Sequence, residues 1–227
     1  MRPVFVSSHC YPSVVDLLKN LNCSPILVPE LPNVDRRTSY HTDLSLCVLG
    51  NTVICAPSLY SCLSDVEGYK LIKGYSEPCD PYPYDIPYNV LVVGEFIFCR
   101  KDKTDKVLLS AAEDLGYEII NVNQGYSRCS SLPVGDSALI TSDPSILKAA
   151  QIVGIDVLGV SDDGICLEGF PNGFIGGTGG TVEGNTVFFG DISKHCDYNR
   201  IKEFCNKHGF SIYFTAEPLR DFGSLLC

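Results

Sequence analysis

Residues 44–56 read LSLCVLGNTVICA, which is two apolar runs separated by Gly50-Asn51. A glycine followed by a polar residue suits a two-residue type II′ turn, because its first central position needs a positive φ. Short apolar runs on both sides of such a turn are typical of paired strands. The stretch therefore predicts a β-hairpin.

The same pattern returns three more times along the chain. The further copies are YNVLVVGEFIFC at 88–99, LPVGDSALITS at 132–142 and TVEGNTVFFG at 181–190, with turns expected at Gly94-Glu95, Gly135-Asp136 and Gly184-Asn185. A pattern that recurs every roughly 40–50 residues indicates a repeat architecture, in which each copy is one supersecondary unit.

A helix and a strand are predicted before each hairpin. Apolar side chains at helical spacing run through 107–115 and 146–153, and apolar runs follow each at 117–120 and 155–158. A glycine just past a helix is the usual left-handed cap. Three glycines occupy such positions: Gly116, Gly154 and Gly209.

The fifth copy is divided between the two ends of the chain. Residues 198–207 predict its helix, 210–214 its strand and 224–227 the first strand of its hairpin, for which 2–7 supplies the missing partner. Such pairing would close a ring without an exposed sheet edge. We therefore predict an α/β fold, a five-bladed α/β propeller forming a single domain over 1–227. Its units are 9–56, 57–102, 103–143, 144–192, and 193–227 plus 1–8.

Composition limits the function. With 45% hydrophobic and 19% charged residues, the chain has enough apolar material for one core. The start of the chain lacks a signal-peptide pattern and no apolar run approaches about 18 residues, so a soluble cytoplasmic protein without a membrane partner is expected. A net charge of -10 argues against nucleic acid. It is compatible with a cationic small-molecule substrate, or with solubility alone.

The twelve cysteines are scattered through predicted strands without paired spacing, as at Cys47, Cys55, Cys99 and Cys166. Disulfides would be expected in a short secreted chain, whereas this distribution favours reduced thiols. No Cys-x-x-Cys or His/Cys cluster indicates zinc, and neither a metal nor a cofactor is predicted.

One position in each unit opens the first hairpin strand after the long loop. In a closed ring these equivalent positions converge on the axis, where a thiol, an imidazole and two carboxylates would face one another. That combination favours an active site over chance placement of polar loop residues. The five positions are His41, Asp85, Cys129, Gly176 and Asp221.

At these residues the chain resembles the pentein superfamily, five-bladed α/β propellers that include arginine and agmatine deiminases, dimethylarginine dimethylaminohydrolase and amidinotransferases. His41-Thr42-Asp43 is similar to the His-x-Asp motif of that family, and the stretch 128–133, RCSSLP, is similar to the sequence around its nucleophilic cysteine. Arg220-Asp221-Phe222-Gly223 is similar to its Arg-Asp-x-Gly motif. Cys129 lies two units after His41, as in the family.

The resemblance implies a cysteine-dependent hydrolase or amidinotransferase that forms a thiouronium-type intermediate on a guanidino or amidine compound. Cys129 would be the nucleophile if a protonated His41 or the cationic substrate lowers its pKa. His41 would act as general acid and base, and Asp43 would orient it or bind substrate. The substrate-binding group would comprise Asp85, Asp221, Arg220, Gly176 and Gly177.

Each residue also has an ordinary structural interpretation. His41 could be a surface-loop histidine, and Asp43, Asp85 and Asp221 could each cap a loop or turn. The glycine-rich run 169–180 lacks a following Gly-Lys-Ser/Thr, so close backbone approach beside a ligand explains it better than a nucleotide loop.

The chain also departs from the family pattern. The cysteine is mid-chain, which implies a circular permutation, and the Glu-Gly-Gly motif is missing. Because one fold serves many functions, the alternative is a non-catalytic five-bladed binding scaffold resembling the ribosome anti-association factor.

Overall fold

Over residues 1–63 and 66–227, which the computed structural model describes, the strands are short and fall into five small sheets. The strands are β1 (Arg2–Ser7), β2 (Cys23–Val28), β3 (Leu46–Leu49), β4 (Thr52–Cys55), β5 (Lys70–Lys73), β6 (Leu91–Val93), β7 (Phe96–Cys99), β8 (Glu118–Asn121), β9 (Ser131–Pro133), β10 (Ala138–Thr141), β11 (Asp156–Gly159), β12 (Gly179–Val182), β13 (Asn185–Phe188) and β14 (Ser211–Phe214). The helices are α1 (Pro12–Asn20), α2 (Thr42–Ser45), α3 (Lys106–Asp114), α4 (Pro144–Ile152) and α5 (Tyr198–Lys207).

Four of the sheets share one topology. In each, an antiparallel hairpin is extended by a third strand that runs parallel to the second hairpin strand. The orders are β3-β4-β5, β6-β7-β8, β9-β10-β11 and β12-β13-β14, and β1 pairs with β2 in a parallel two-stranded sheet. The strand after each helix thus joins the hairpin that precedes the helix, so the sheets cross the unit boundaries predicted from the sequence.

Two of the four hairpin turns follow the predicted chemistry, and two differ from it. Gly50 and Gly94 open two-residue turns with φ of 59° and 57°, the positive values that a type II′ turn requires. In the third hairpin the Val134 N–H donates to the Ala138 carbonyl, so the loop spans the three residues 135–137 rather than the two that were predicted. In the fourth hairpin Val182 pairs with Asn185, so the turn is Glu183-Gly184, one residue earlier than predicted. Both of its residues have positive φ, 49° and 73°.

The helices form where the periodicity predicted them. At the start of α3, Asp105 accepts hydrogen bonds from the backbone N–H groups of Val107 and Leu108, and Asp143 caps α4 in the same way. Between β4 and β5, however, the described residues contain only a 3₁₀ turn, Pro57–Leu59. The prediction of a helix in every unit is therefore wrong for the described part of 57–102. Ser64 and Asp65, which the same prediction covers, lie outside the described residues.

The two ends of the chain meet in an antiparallel bridge. The Phe5 N–H donates to the Leu226 carbonyl at 2.8 Å, and the Leu226 N–H donates to the Phe5 carbonyl at 3.0 Å. Phe5 is fully buried there. The fold is thus a mixed α/β structure whose last residues are held against its first strand, as the divided fifth hairpin predicted.

The buried side chains form apolar clusters on the sheets and under the helices. Leu108 and Ala112 of α3 and Ile146 and Ala150 of α4 are fully buried, as the inner face of an amphipathic helix requires. Among the described residues, every helix is too short to cross a bilayer. All twelve cysteines are described, and each is a free thiol.

Candidate active site

The Cys129 thiol lies in the turn before β9 and is almost completely buried. Its Sγ is 3.0 Å from Oδ1 and 3.1 Å from Oδ2 of Asp43, to which the S–H donates. On its other side Sγ accepts a hydrogen bond of 3.1 Å from Nδ2 of Asn89. The sulfur therefore sits between an acceptor and a donor, both buried.

Asp43 is held in place by the end of the chain. It lies in the single turn of α2, and its backbone N–H donates to the Gly223 carbonyl at 2.9 Å. The Ser224 hydroxyl donates to Asp43 Oδ2 and also contacts the Gly176 carbonyl. Ser224 adopts a left-handed φ of 72°, which turns it inward beside the bridge between the two chain ends. Closure of the chain thus positions the carboxylate beside the thiol.

His41 immediately precedes α2 and is 97% buried. One of its ring nitrogens lies within 4.8 Å of both Cys129 Sγ and an Asp43 carboxylate oxygen. Its Nδ1 is 3.7 Å from Asp221 Oδ1, whereas Nε2 is buried with no hydrogen-bond partner. Burial lowers the pKa of the imidazole to about 4, although nearby Asp43 opposes this effect. The ring is therefore uncharged at neutral pH.

Asp221 is fully buried and is fixed by backbone donors. Its Oδ2 accepts from the Phe174 N–H at 2.9 Å and its Oδ1 from the Gly223 N–H at 3.0 Å. Burial raises the pKa of the carboxyl group to about 7, against the lowering effect of these hydrogen bonds. At neutral pH Asp221 is thus close to half protonated, and the facing His41 is neutral.

The predicted glycines approach this cluster closely. A Cβ added at Gly177 would lie 1.9 Å from Asp221 Oδ1, and one at Gly176 would lie 2.3 Å from the Arg128 carbonyl. Any side chain at either position would displace these groups. The predicted close approach of the backbone is therefore present, but it is an approach to Asp221 and to the Arg128 segment of the protein itself. A direct contact of these glycines with substrate stays a prediction.

Asp85 is almost completely buried and is paired with a tyrosine. The Tyr126 hydroxyl donates to Asp85 Oδ2 at 2.6 Å, whereas Oδ1 is buried and unpartnered. Burial raises the pKa of Asp85. The Tyr126 phenol lies within the electrostatic influence of both Asp85 and Cys129. Burial raises its pKa, and the negative charges of Asp85 and Cys129 add to this effect. Asp85 thus offers a free carboxylate oxygen to a ligand.

Arg220 lies over an aromatic ring. Its guanidinium carbon is 5.8 Å from the centre of the Phe222 ring, and its Nε is buried without a partner. The residue also lines a surface pocket with Cys166 and Phe170. It flanks Asp221 in sequence, and contact with substrate stays a prediction.

The neighbouring Arg128 has a role that the sequence did not predict. Its guanidinium group is buried and donates to four backbone carbonyls, those of Ser131, Gly176, Gly179 and Leu225, at 2.8–3.1 Å. Burial lowers the pKa of Arg128, whereas the negative charge of Asp43 opposes this effect. Arg128 thereby joins the Cys129 turn, the glycine-rich segment and the end of the chain.

The electrostatics differ from expectation in one respect. The pKa of the Cys129 thiol is raised well above its ordinary value by burial and by the negative charges of Asp43 and Asp221. A protonated His41 was expected to lower it, but burial keeps that imidazole neutral. The resting thiol is therefore protonated, and a cation brought beside Asp43 and Asp221 would favour the thiolate.

The predicted residues thus separate into two groups. His41, Asp43, Cys129 and Asp221 come together, and Asp85 reaches them through Tyr126. Arg220 lies apart. Sequence reasoning missed Asn89 and Ser224, which contact Cys129 and Asp43 respectively. Neither residue stands in a recognisable motif. The available signal was proximity in sequence, because Asn89 follows the predicted Asp85 by four residues and Ser224 follows the predicted Asp221 by three.

Two clusters of the described residues bring possible metal-ligating atoms close together. The atoms of His41, Asp43 and Cys129 are close enough for an ion, but both Asp43 oxygens accept hydrogen bonds within the protein. In the second cluster, His195, Cys196 and Asp197, both histidine ring nitrogens are bonded, to the Ser161 carbonyl and the Asp197 N–H. Neither arrangement is assigned as a metal centre.

A cavity of about 440 Å³ reaches the cluster from the side of the hairpin turns. Gly50, Gly94, Gly135 and Gly184 surround its mouth, and Asp43 and Arg128 are among its lining residues. Cys129, His41 and Asp221 are absent from that lining. Asp43 and Arg128 therefore separate the cavity from the thiol.

Solved structures with a similar fold place this geometry in context. The chain matches a dimethylarginine dimethylaminohydrolase adduct with S-methyl-L-thiocitrulline at 9% identity and a TM-score of 0.57, over 95% of this chain and 92% of that one. It matches the same enzyme from Pseudomonas aeruginosa, a cysteine variant complexed with citrulline, at 9% identity and a TM-score of 0.55, with the same coverage. It matches an inosamine-phosphate amidinotransferase from Streptomyces griseus at 12% identity and a TM-score of 0.55, over 100% and 93%.

All three are members of the pentein superfamily, which confirms the resemblance drawn from the sequence and defines the class of fold. Sequence identities this low show the fold alone. The chain belongs to a family of unknown function, DUF6873, whose model matches residues 5–226. A comparison with curated proteins gives no match.

Proposed function

We propose that this chain is a cysteine-dependent enzyme that hydrolyses or transfers the amidino group of a guanidino or amidine small molecule. The observation that carries the proposal is the buried cluster in which Cys129 Sγ lies 3.0 Å from Asp43 and within 4.8 Å of a His41 ring nitrogen. A thiol, an imidazole and carboxylates in one cluster supply a nucleophile, a proton carrier and a cation site.

The chemistry follows from these groups. Cys129 Sγ attacks the planar guanidinium carbon, and the proton of the thiol passes to His41 by way of the Asp43 carboxylate, to which the S–H donates. His41 returns a proton to the departing amine, leaving a thiouronium-type intermediate on Cys129. Attack by water, or by an acceptor amine, then breaks the C–S bond and restores the thiol.

The substrate itself activates the nucleophile in this proposal. A guanidinium beside Asp43 and Asp221 offsets the two negative charges that hold the pKa of Cys129 high. The thiolate would then form only in the presence of a cation. A protein with a net charge of -10 also favours the approach of such a substrate.

Two buried polar atoms without partners support a ligand in this position. Asp85 Oδ1 and His41 Nε2 both lack hydrogen bonds, which is costly for buried groups unless a ligand supplies them. The planar guanidinium group is suited to paired hydrogen bonds with a carboxylate such as Asp85. Asp221 and Arg220, with Gly176 and Gly177 behind them, complete the proposed substrate-binding group.

We further propose that the five sheets are five blades of one ring and that 1–227 is a single domain. Contacts of β9 with both β6 and β12, and the Phe5–Leu226 bridge between the chain ends, support this arrangement. A cytoplasmic location, suggested by the free thiols, belongs to the same proposal.

The test is turnover with a panel of guanidino compounds, measured as release of ammonia, amine or urea. Activity that disappears in Cys129→Ala but persists in the matched Cys166→Ala is expected, because the Cys166 thiol is exposed and its hydrogen bond with Asp221 is made by the backbone, which alanine keeps. Haloacetamidine labelling of Cys129 at neutral pH is a second readout. Neither turnover nor labelling would instead favour a non-catalytic binding scaffold with the same fold.

A further inference from the structure

Asn89 makes three buried hydrogen bonds to the segment that carries the thiol. Its Oδ1 accepts from the backbone N–H of Arg128 at 2.8 Å and from that of Cys129 at 3.3 Å. Its Nδ2 donates to Cys129 Sγ at 3.1 Å. The Asn89 side chain is 99% buried, so water does not compete for these contacts.

The contacts fix the orientation of the amide. Two backbone N–H groups require an acceptor, so the oxygen of Asn89 must face them. The nitrogen then necessarily faces the sulfur, with an N–H available to it. The donor is thus aimed at Sγ by hydrogen bonds that would remain whatever the protonation state of the thiol.

We propose that Asn89 is a further functional residue of this site, whose side-chain N–H holds and stabilises the Cys129 thiolate. The inference rests on the proposed role of Cys129 as a nucleophile. Asp43 and Asp221 oppose charge on the sulfur, and the Asn89 N–H is the neighbouring side-chain donor that favours it. A hydrogen bond to a charged group is stronger than one to a neutral group, so the contact tightens as the thiolate forms.

A purely structural role is the competing explanation. In that case Asn89 would only anchor the backbone of the Cys129 turn, and its loss would loosen the turn and expose the thiol. Loosening accelerates alkylation of a buried cysteine at every pH. Loss of a thiolate-stabilising donor slows alkylation at a given pH, because a smaller fraction of the thiol is ionised. The two roles therefore predict changes of opposite sign.

The experiment measures the rate at which iodoacetamide alkylates Cys129 between pH 8 and 10, resolved by mass spectrometry of the peptide. Asn89→Ala should slow Cys129 by at least about 10-fold at each pH, the loss expected for a hydrogen bond to a charged atom. Alkylation of the exposed Cys166 in the same sample should not change. Faster or unchanged alkylation of Cys129 would overturn the proposal.

A second variant keeps the test valid if Asn89→Ala does not fold. Asn89→Asp retains an acceptor for the two backbone N–H groups but replaces the donor with a negative oxygen, so a larger decrease is expected. The matched control is Asn121→Asp, because exposed Asn121 also accepts a backbone N–H, that of Lys101. An Asn89→Asp rate equal to that of the control would contradict the role.

The outcome is independent of whether a guanidino substrate is found. Iodoacetamide is neutral and needs no turnover, so a change in Cys129 ionisation is visible even in a protein without guanidino activity. Slow alkylation in the variants together with no turnover would leave the Asn89 role supported and the proposed reaction refuted.

Discussion

The Cys129 thiol is paired with the Asp43 carboxylate, with Sγ 3.0 Å from Oδ1 and 3.1 Å from Oδ2. The nearest ring nitrogen of His41 lies within 4.8 Å but makes no hydrogen bond to the sulfur in the structure. Carboxylate rather than imidazole thus sets the resting state of the thiol, and it does so by opposing ionisation. The reactivity of Cys129 and the pH dependence of stability should both depend on these buried ionisable groups.

Asp43→Asn should make the thiol more reactive and the proposed enzyme less active. After burial, Asp43 is the largest cause of the raised pKa of Cys129, so its removal lowers that pKa. Each unit lowered increases the thiolate about 10-fold at a fixed pH below the pKa. The measurement is the pH at which alkylation of Cys129 is half-maximal, compared with turnover of any guanidino substrate.

The matched control for this prediction is Asp136→Asn, which removes the same charge from an exposed position in the β9–β10 hairpin. Asp136→Asn should change neither the rate of Cys129 alkylation at a given pH nor the turnover rate by more than about 2-fold, since exposed charges are screened by solvent. An Asp43→Asn protein with an unchanged alkylation profile would show that the carboxylate does not control the thiol.

Much of the fold was predictable because hairpin turns and helix caps are local. Gly50, Gly94 and the capping Asp105 act within a few residues, and the structure has turns and a helix start there. The fourth turn shifted to Glu183-Gly184 because register depends on the whole strand pair. The unit 57–102 shows no helix in its described residues, although its hairpin repeats, since a repeat of strands does not dictate the connection between them.

The candidate site was predictable in its members but not in its electrostatics. Convergence of equivalent positions brought His41, Cys129 and Asp221 together, as the repeat required. Whether a histidine is charged depends on burial, which a loop sequence such as that around His41 does not reveal. Asn89 and Ser224 escaped prediction for a related reason: each contacts the cluster from another segment, 40 residues from Cys129 and 181 from Asp43.

The stability of the protein should depend on pH through Asp221 and His41 in opposite directions. The pKa of Asp221 is raised from 3.8 to about 7, so the folded state holds a proton that the unfolded chain releases, and this contribution falls as pH rises from about 4 to 7. The pKa of His41 is lowered from 6.5 to about 4, so its contribution increases as pH rises from about 4 to 6.5. The two effects offset each other between about pH 4 and 6.5.

Single variants should expose the two contributions. Relative to wild type, Asp221→Asn should gain stability as pH rises from 4.5 to 6.5, and His41→Asn should lose stability, each by about 1.4 kcal/mol per pH unit at most. Urea unfolding at the two pH values measures the difference from wild type, in which titrating groups that do not face the changed residue cancel. Differences from wild type that do not change with pH would contradict the assigned protonation states.

Arg128→Met should destabilise the fold strongly. The guanidinium group donates to the carbonyls of Ser131, Gly176, Gly179 and Leu225, and methionine removes one buried hydrogen bond from each of them. A hydrogen bond from a charged donor contributes about 1.5–3 kcal/mol, so the loss of four outweighs the gain from no longer burying a charge. A loss of more than about 3 kcal/mol in the free energy of unfolding is expected from urea denaturation.

Arg200→Met is the matched control for Arg128, because exposed Arg200 also donates to a backbone carbonyl, that of Gly159, and pairs with Asp197. Exposed acceptors turn to water, so a loss below about 1 kcal/mol is expected. Equal losses in the two variants would mean that the buried guanidinium does not hold the three segments together.

Leu226→Pro tests whether the ends of the chain close the structure. Proline has no N–H, so it removes the hydrogen bond to the Phe5 carbonyl, which is 3.0 Å long in the native bridge. Leu226→Ala keeps that N–H and accounts for the lost side chain. Leu226→Pro should therefore be less stable than Leu226→Ala by at least about 1 kcal/mol in urea unfolding.

The same pair of variants connects closure with the site. Ser224, which donates to Asp43, lies two residues before the bridge, so an unpaired chain end would release the carboxylate that faces Cys129. Alkylation of Cys129 by iodoacetamide should therefore be faster in Leu226→Pro than in Leu226→Ala, whereas alkylation of exposed Cys166 should be equal in both. If Leu226→Pro matched Leu226→Ala in stability and in Cys129 reactivity, the pairing of the termini would be incidental to the site, and the fold would have to be held together by its other contacts.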